Sequence, residues 1–365
     1  MTSNLPKRGV GLPSESQELL LTAALGDADV ALPAWNQWRE QHELNDLDND
    51  SRRLLPLIGY NFNQTGIKIP DAATISSLTR LGLVRNKLLF KSLGEVARLL
   101  GQHNIDVLFI KGVPVAIRDY PYPALRPMSD GDILIRAAQF NRAIEIFKEA
   151  GWMYASDDIP SEVHHAVPMK NTSHQELDVH RFALGECPYS KGDETLWRSA
   201  VTVPFEGITI QVPNPTDLLF LTCVNSVHSP LRWVLDAMIL IRGNEIDWPR
   251  LIKHARHRKL ALVTRSALNY IVEKYAAPIP PQVLKTLHSI PVSWLEKHEY
   301  ESWEATDSQL ARLLLRYAAY RRVQGSQHPI GFLNHLRRHG NLNSYHEIPL
   351  WLLRAATQRS HKSAE

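Results

Sequence analysis

A mixed α/β core set between two helical regions is the fold class this sequence predicts, and three observations predict it. Apolar residues recur at three- and four-residue spacing through residues 1–85 and again through residues 214–365. Between them, over residues 86–213, the pattern changes to short apolar or alternating runs, which is how strands read. Those runs are separated by turn chemistry and by one further helical stretch, so the middle segment is a small sheet with helices. The expected units are therefore an N-terminal helical region (1–85), an α/β core (86–213) and a C-terminal helical domain (214–365). A length of 365 residues suits such a division better than one core.

Taken in order, SQELLLTAAL, SRRLLPLIGYNF and NKLLFKSLGEVARLL read as helices, the last stopped at Gly101. IDVLFIKG (105–112) is a fully apolar strand ending at Lys111-Gly112, and SDGDILIR (129–136) is a strand that opens with acids. AAQFNRAIEIFKEAG is a helix with a glycine stop, followed by a short strand at WMYAS (152–156). HHAVPMKNTSHQELDVHR holds two alternating runs around Asn171, Thr172 and Ser173, a hairpin in which Pro168 places the first strand at a sheet edge. TDLLFLTCVNSVH returns to helix with Thr216 as the expected N-cap, and LRWVLDAMILIR, WPRLIKHARHRKL and QLARLLLRYAAYRRV follow, with Trp233 and Trp248 in their apolar faces.

Composition narrows the function classes. Hydrophobic residues at 44% and charged residues at 22% describe a folded globular chain. A formal charge of +3 does not by itself call for a nucleic acid. The last 59 residues nevertheless carry Arg312, Arg316, Arg321, Arg322, Arg337, Arg338, Arg354, Arg359 and Lys362 against Asp307, Glu347 and Glu365. Arg312, Arg316 and Arg322 are expected on one helix face, either solvated or turned to RNA. Cys187 and Cys223 make no disulfide framework and no metal-spaced pair, which fits a reducing cytoplasm. The apolar stretch at 19–25 is bracketed by Glu15, Glu18, Asp27 and Asp29, so no signal peptide is expected. The runs at 218–224 and 233–241 fall short of the roughly 18 residues that span a bilayer, so no membrane partner is expected.

The chemistry concentrates in the middle segment. Strand side chains alternate, so Asp130 and Asp132 point the same way and Gly131 the other. Two carboxylates this close repel unless a cation lies between them, and Mg²⁺ is bound by such a pair together with substrate phosphates. In QELDVH the same alternation puts Glu176, Asp178 and His180 on one face and makes Asp178 the natural third carboxylate. Three carboxylates and two ions can clamp the attacking and leaving oxygens of an in-line phosphoryl displacement, and Asp178 can take the acceptor proton. Lys111 and Gly112 end the preceding strand, where glycine admits a phosphate and lysine neutralises it. Arg126 either forks onto phosphate or pairs with a loop carbonyl or Asp130. His180 orients the acceptor or the Asp178 carboxylate, or is structural. His164 and His165 are neighbours on a strand and should face opposite ways.

These residues resemble the uncharacterised nucleotidyltransferase family of the polymerase-beta-like nucleotidyltransferase superfamily. The resemblance is carried by IKG, ALRPMSDGDILI, HH, ELDVH and LRWVLDAMILI with EIDW, over about residues 86–260. It implies a minimal nucleotidyltransferase sheet that binds Mg²⁺ (or Mn²⁺) and an NTP, ATP first among them. The paired acids fall on Asp130 and Asp132 and the third on Asp178, and Ser129 joins Lys111, Gly112 and Arg126 as an expected nucleotide contact. The superfamily's Gly-Ser or Gly-Gly is matched only by Lys111-Gly112, with Val113 following. Arg232 and Asp236 stand at i and i+4, spacing that suits a surface ion pair, and the resemblance adds a nucleotide-binding role for them and for His228. The implied reaction moves a nucleoside monophosphate to a hydroxyl of a small molecule, a protein side chain or an RNA end. Two other readings are a non-catalytic nucleotide binder or adaptor keeping the fold, and an RNA-binding protein using the basic C-terminal helices.

Overall fold

The computed structural model describes residues 11–156, 164–188, 190–229, 231–303, 309–324 and 329–352. Its centre is a seven-stranded mixed sheet in the order β3-β4-β5-β2-β1-β7-β6. The strands are β1 (Val107–Ile110), β2 (Asp130–Ile135), β3 (Met153–Tyr154), β4 (Ala166–Lys170), β5 (Glu176–His180), β6 (Val201–Phe205) and β7 (Ile208–Val212). β1 runs antiparallel to β2 and parallel to β7, while β2 and β5 are parallel.

The alternation along these strands decides what lies on each face. Phe109, Ile133, Ile135, Leu177 and Val179 pack with Leu89, Phe90 and Leu93 of the long helix Ala72–Gln102 and with Phe140 and Phe147 of the helix Phe140–Glu149. Leu108, Ile110 and Leu134 turn the other way, into a core that joins Leu20, Trp35 and Ile58 near the N-terminus to Phe220, Trp233, Met238 and Leu268. Helices from both ends of the chain therefore share one core. The helix Ala72–Gln102 runs without interruption through residue 85.

Three local expectations change. Pro168 lies inside the sheet, since β3 flanks β4. Its carbonyl accepts from Ala155 N at 2.9 Å, so the missing N–H falls on that outer side, just past the two-residue β3, and costs no ladder bond. The helix Pro215–Val224 is capped by Asn214, whose side chain accepts from Asp217 N, while Thr216 Oγ1 accepts from Asp247 N. Gly101 stays helical, and the Ala72 helix ends one residue later at Gln102. The turn at 171–175 forms as read, closed by Asn171 Oδ1 on the backbone of Ser173 and Gln175. Trp233 is buried and Trp248 packs partly buried against the same core.

Candidate active site

Because β2 and β5 are parallel and in register, Asp132 sits directly opposite Asp178, and Asp130 opposite Glu176. Asp130, Asp132, Asp178 and His180 share the sheet face of Leu134. Gly131 faces the other way, where a Cβ would come within 2.6 Å of Leu93, so any side chain there would have to displace that leucine. β1 ends where β2 begins, since Ile110 is the register partner of Asp132, and this brings Lys111 and Gly112 to the acids.

Lys111 carries its backbone at φ 54°, ψ −113°, a conformation rare for a side-chain-bearing residue. Its ammonium is anchored on Asp132 Oδ1 at 2.5 Å. His180 Nε2 meets the same oxygen at 3.0 Å, so it orients Asp132 on the neighbouring strand, not Asp178. A carboxylate only accepts, so Nε2 donates; Nδ1 is buried with no hydrogen-bond partner among the described residues. Asp132, Asp178 and His180 each present a ligand atom, all within 4.8 Å of one another.

The charges are unequal in their comfort. Burial would raise the Asp132 carboxyl, but Lys111 and His180 outweigh it and hold it at about 2. Asp130 and Asp178 are pushed up, first by burial and then by the charge of Asp132. Burial pulls Lys111 down, and Asp132 more than reverses that. Two carboxyls raised by burial and by the charge of Asp132, made of hard oxygen donors, are a set that a divalent cation would relieve.

A cleft of about 240 Å³ opens in front of the acids, lined among others by Gly112, Arg126, Asp130, Asn225, His228 and Arg232. Arg126 is not free to fork onto a phosphate there, nor does it pair with Asp130. Its Nε and Nη2 clamp Asp236 at 2.9 and 2.7 Å, and Tyr120 Oη donates to the same carboxylate at 3.0 Å. The clamp passes over Gly112, where a Cβ would come 2.5 Å from Arg126 Nη1. Asp236 therefore makes no pair with Arg232, contrary to the i and i+4 spacing. Arg232 lines the cleft with a buried Nε that has no partner among the described residues. Ser129 is exposed at the rim, donating to Asp130 Oδ1 at 3.3 Å and accepting from Arg53 at 3.3 Å.

Some contributors escaped the sequence. Asn86 is fully buried and holds the loop before β2, donating to the carbonyls of Pro123 and Arg126 and accepting from Met128 N. A polar residue in the core-facing stripe of NKLLFKSL was the available signal. Tyr120 offered none. His164 and His165 lie in the bend before β4, not within it, and both line a second cavity behind the acids. Among the basic C-terminal residues, Arg322 is buried and bonds Glu299 and the carbonyls of Glu186 and Lys259, while Arg316 stacks on Trp351. Arg354, Arg359 and Lys362 lie outside the described residues.

The mixed sheet thus aligns carboxylates on two parallel strands beside a Lys-Gly turn. The sequence profile of the uncharacterised nucleotidyltransferase family matches residues 49–275, more than half of the chain, and the chain belongs to that family. The match begins earlier and ends later than the motifs alone suggested. An antigenic nucleotidyltransferase-like protein from Paracoccidioides brasiliensis is similar in structure at 15% identity and a TM-score of 0.36, over 56% of this chain and 94% of that one. No curated protein matches the chain. Among the described residues no helix is long and apolar enough to cross a membrane.

Proposed function

We propose that this chain is a divalent-cation-dependent nucleotidyltransferase that moves a nucleoside monophosphate from an NTP, ATP first among them, to a hydroxyl, with pyrophosphate leaving. The observation that carries the reading is the register of Asp132 on Asp178, with Asp130 on the same face. When bound, Mg²⁺ or Mn²⁺ supplies charge neutralisation of the triphosphate. Asp130 and Asp132 hold the cations, and Asp178 completes one and accepts the proton of the attacking hydroxyl. The hydroxyl oxygen bonds to the α-phosphorus while the α–β bridging bond breaks, its electron pair departing with pyrophosphate. Gly112, Lys111 and Arg232 face the triphosphate, and Arg126 with Asp236 shapes the cleft floor instead of touching phosphate.

Each labelled NTP is incubated with Mg²⁺ or Mn²⁺ and cell extract, and transfer of label and release of pyrophosphate are followed. Transfer lost in Asp130→Asn and Asp178→Asn is the expected result. The buried Val113, standing where the superfamily places a hydroxyl or glycine, favours the second reading of a non-catalytic nucleotide binder. Tight NTP binding with no pyrophosphate released in any extract would establish that reading and sink the first.

A further inference from the structure

Behind the acids lies a chamber of about 400 Å³, larger than the cleft in front of them. Its wall carries six histidines: His164, His165, His180, His228, His335 and His339. Trp303 lines it too, with Leu315 and Ala319 of the helix Gln309–Gln324. Lys111, Leu221, Asn225 and His228 line both spaces, so chamber and cleft meet beside Lys111, whose ammonium bonds Asp132.

The chemistry of the wall selects a guest. Every formal charge on it has a counterpart in the protein or a stacking partner. Glu186 is bonded to His228 at 2.7 Å, Glu299 is paired with Arg322, and Arg316 lies over the Trp351 ring. A cationic guest would find both wall carboxylates, Glu186 and Glu299, already bonded. Three of the imidazoles are held neutral near pH 7 by desolvation, which drops His339 to about 3 and His165 to about 4 and lowers His335 in the same direction. A neutral imidazole offers one donor and one acceptor, the same pair that a hydroxyl offers. Nδ1 of His180 and Nδ1 of His339 are buried without a hydrogen-bond partner among the described residues.

We propose that this chamber is the acceptor site and takes a small uncharged polyol of sugar type, a hydroxyl beside the reacting one hydrogen-bonding Nδ1 of His180. This rests on the nucleotidyl-transfer reading above. The reacting hydroxyl enters the displacement already written, its oxygen gaining the nucleoside monophosphate and its proton passing to Asp178.

The test is ligand-observed NMR on the full chain, with and without MgATP. The probes are glucose, N-acetylglucosamine and maltose, with glucose 6-phosphate and glucosamine as charged controls. At least one uncharged probe should bind, and should not be displaced by MgATP. In Ala319→Trp and Leu315→Trp, which fill the chamber, its affinity should fall at least tenfold while MgATP affinity, which also reports folding, stays within twofold. No binding by all three uncharged probes, tighter binding of a charged control, displacement by MgATP, or binding unchanged in both tryptophan variants would each overturn the chamber assignment. A sugar that binds but never supports pyrophosphate release overturns its role as acceptor. Failure of MgATP to bind the wild type is a separate result, and sinks the nucleotidyl reading independently of the sugar titration.

Discussion

Two charged clusters lie within one cleft and differ in a single respect. Around Asp236, one carboxylate receives the two-pronged bond of Arg126 and the hydroxyl of Tyr120, all buried, and the positive and negative charges balance. Around Asp132, three aspartates share Lys111 and a histidine, and two of the three carboxyls are pushed up by burial and by their neighbour. Both arrangements carry a desolvation cost, but only the first offsets it from within the chain. A closed cluster sets shape, whereas an open one is built for a partner that the chain does not supply. Asp217 is closed in the same way as Asp236: Arg250, His254 and Ser199 hold it at about 2 against its burial.

The sharpest way to break this contrast is to neutralise one acid in each cluster. Asp178→Asn should cut nucleotidyl transfer about a thousandfold, roughly 4 kcal/mol of transition-state stabilisation. Its melting temperature should hold or rise, because a repelling charge has gone; a clear drop in stability would make Asp178 a structural residue. Asp236→Asn should do the reverse. It strands a buried guanidinium, so urea unfolding should report a loss of about 3 kcal/mol. Unchanged stability there would mean that the Arg126 clamp contributes nothing to the fold.

Adding Mn²⁺ to the wild type should raise the unfolding free energy by about 2.7 kcal/mol at a hundred times the dissociation constant. Asp178→Asn should lose most of that gain and Asp236→Asn, at its lower baseline, should keep it. Equal gains in both would remove the distinction between open and closed.

The smallest effect concerns the chamber wall. His339 is held neutral by burial, with Arg316, His164 and His335 adding to the same direction, and His335 is lowered likewise. Below about pH 6.5 the unfolded chain binds protons at these sites that the folded chain refuses. Stability is therefore full above that pH and falls as pH drops toward the folded values, by about 1.4 kcal/mol per pH unit for each histidine that stays neutral. Unfolding midpoints at pH 7 and pH 5 should show the slope, and His339→Gln should flatten it. An identical slope in the variant would show that the acid sensitivity lies elsewhere.

Much of the fold was legible because its signals are local. The run VLFI, the alternation in ELDVH and the turn at Asn171 each state a strand or hairpin within a few residues, and all three form. Asp130 and Asp132 share a face for the same reason, as do Asp178 and His180. Errors arose where a residue had two partners of similar sequence plausibility. Asp236 stands four residues from Arg232, yet it is taken by Arg126, 110 residues away. Arg322 reads as a solvated helix charge, yet it closes onto Glu299.

By itself, then, the sequence determined which side chains lie on which strand face, and so which acids are available to a cation, because alternation is a property of the backbone. Only the tertiary structure decided which charges are already spent and which stay open. The arginine fork on Asp236 depends on a helix brought across Gly112, and the chamber wall is assembled from segments as far apart as Lys111 and His339. Such pairings are set by how packed elements meet in space, and no spacing along the chain encodes them.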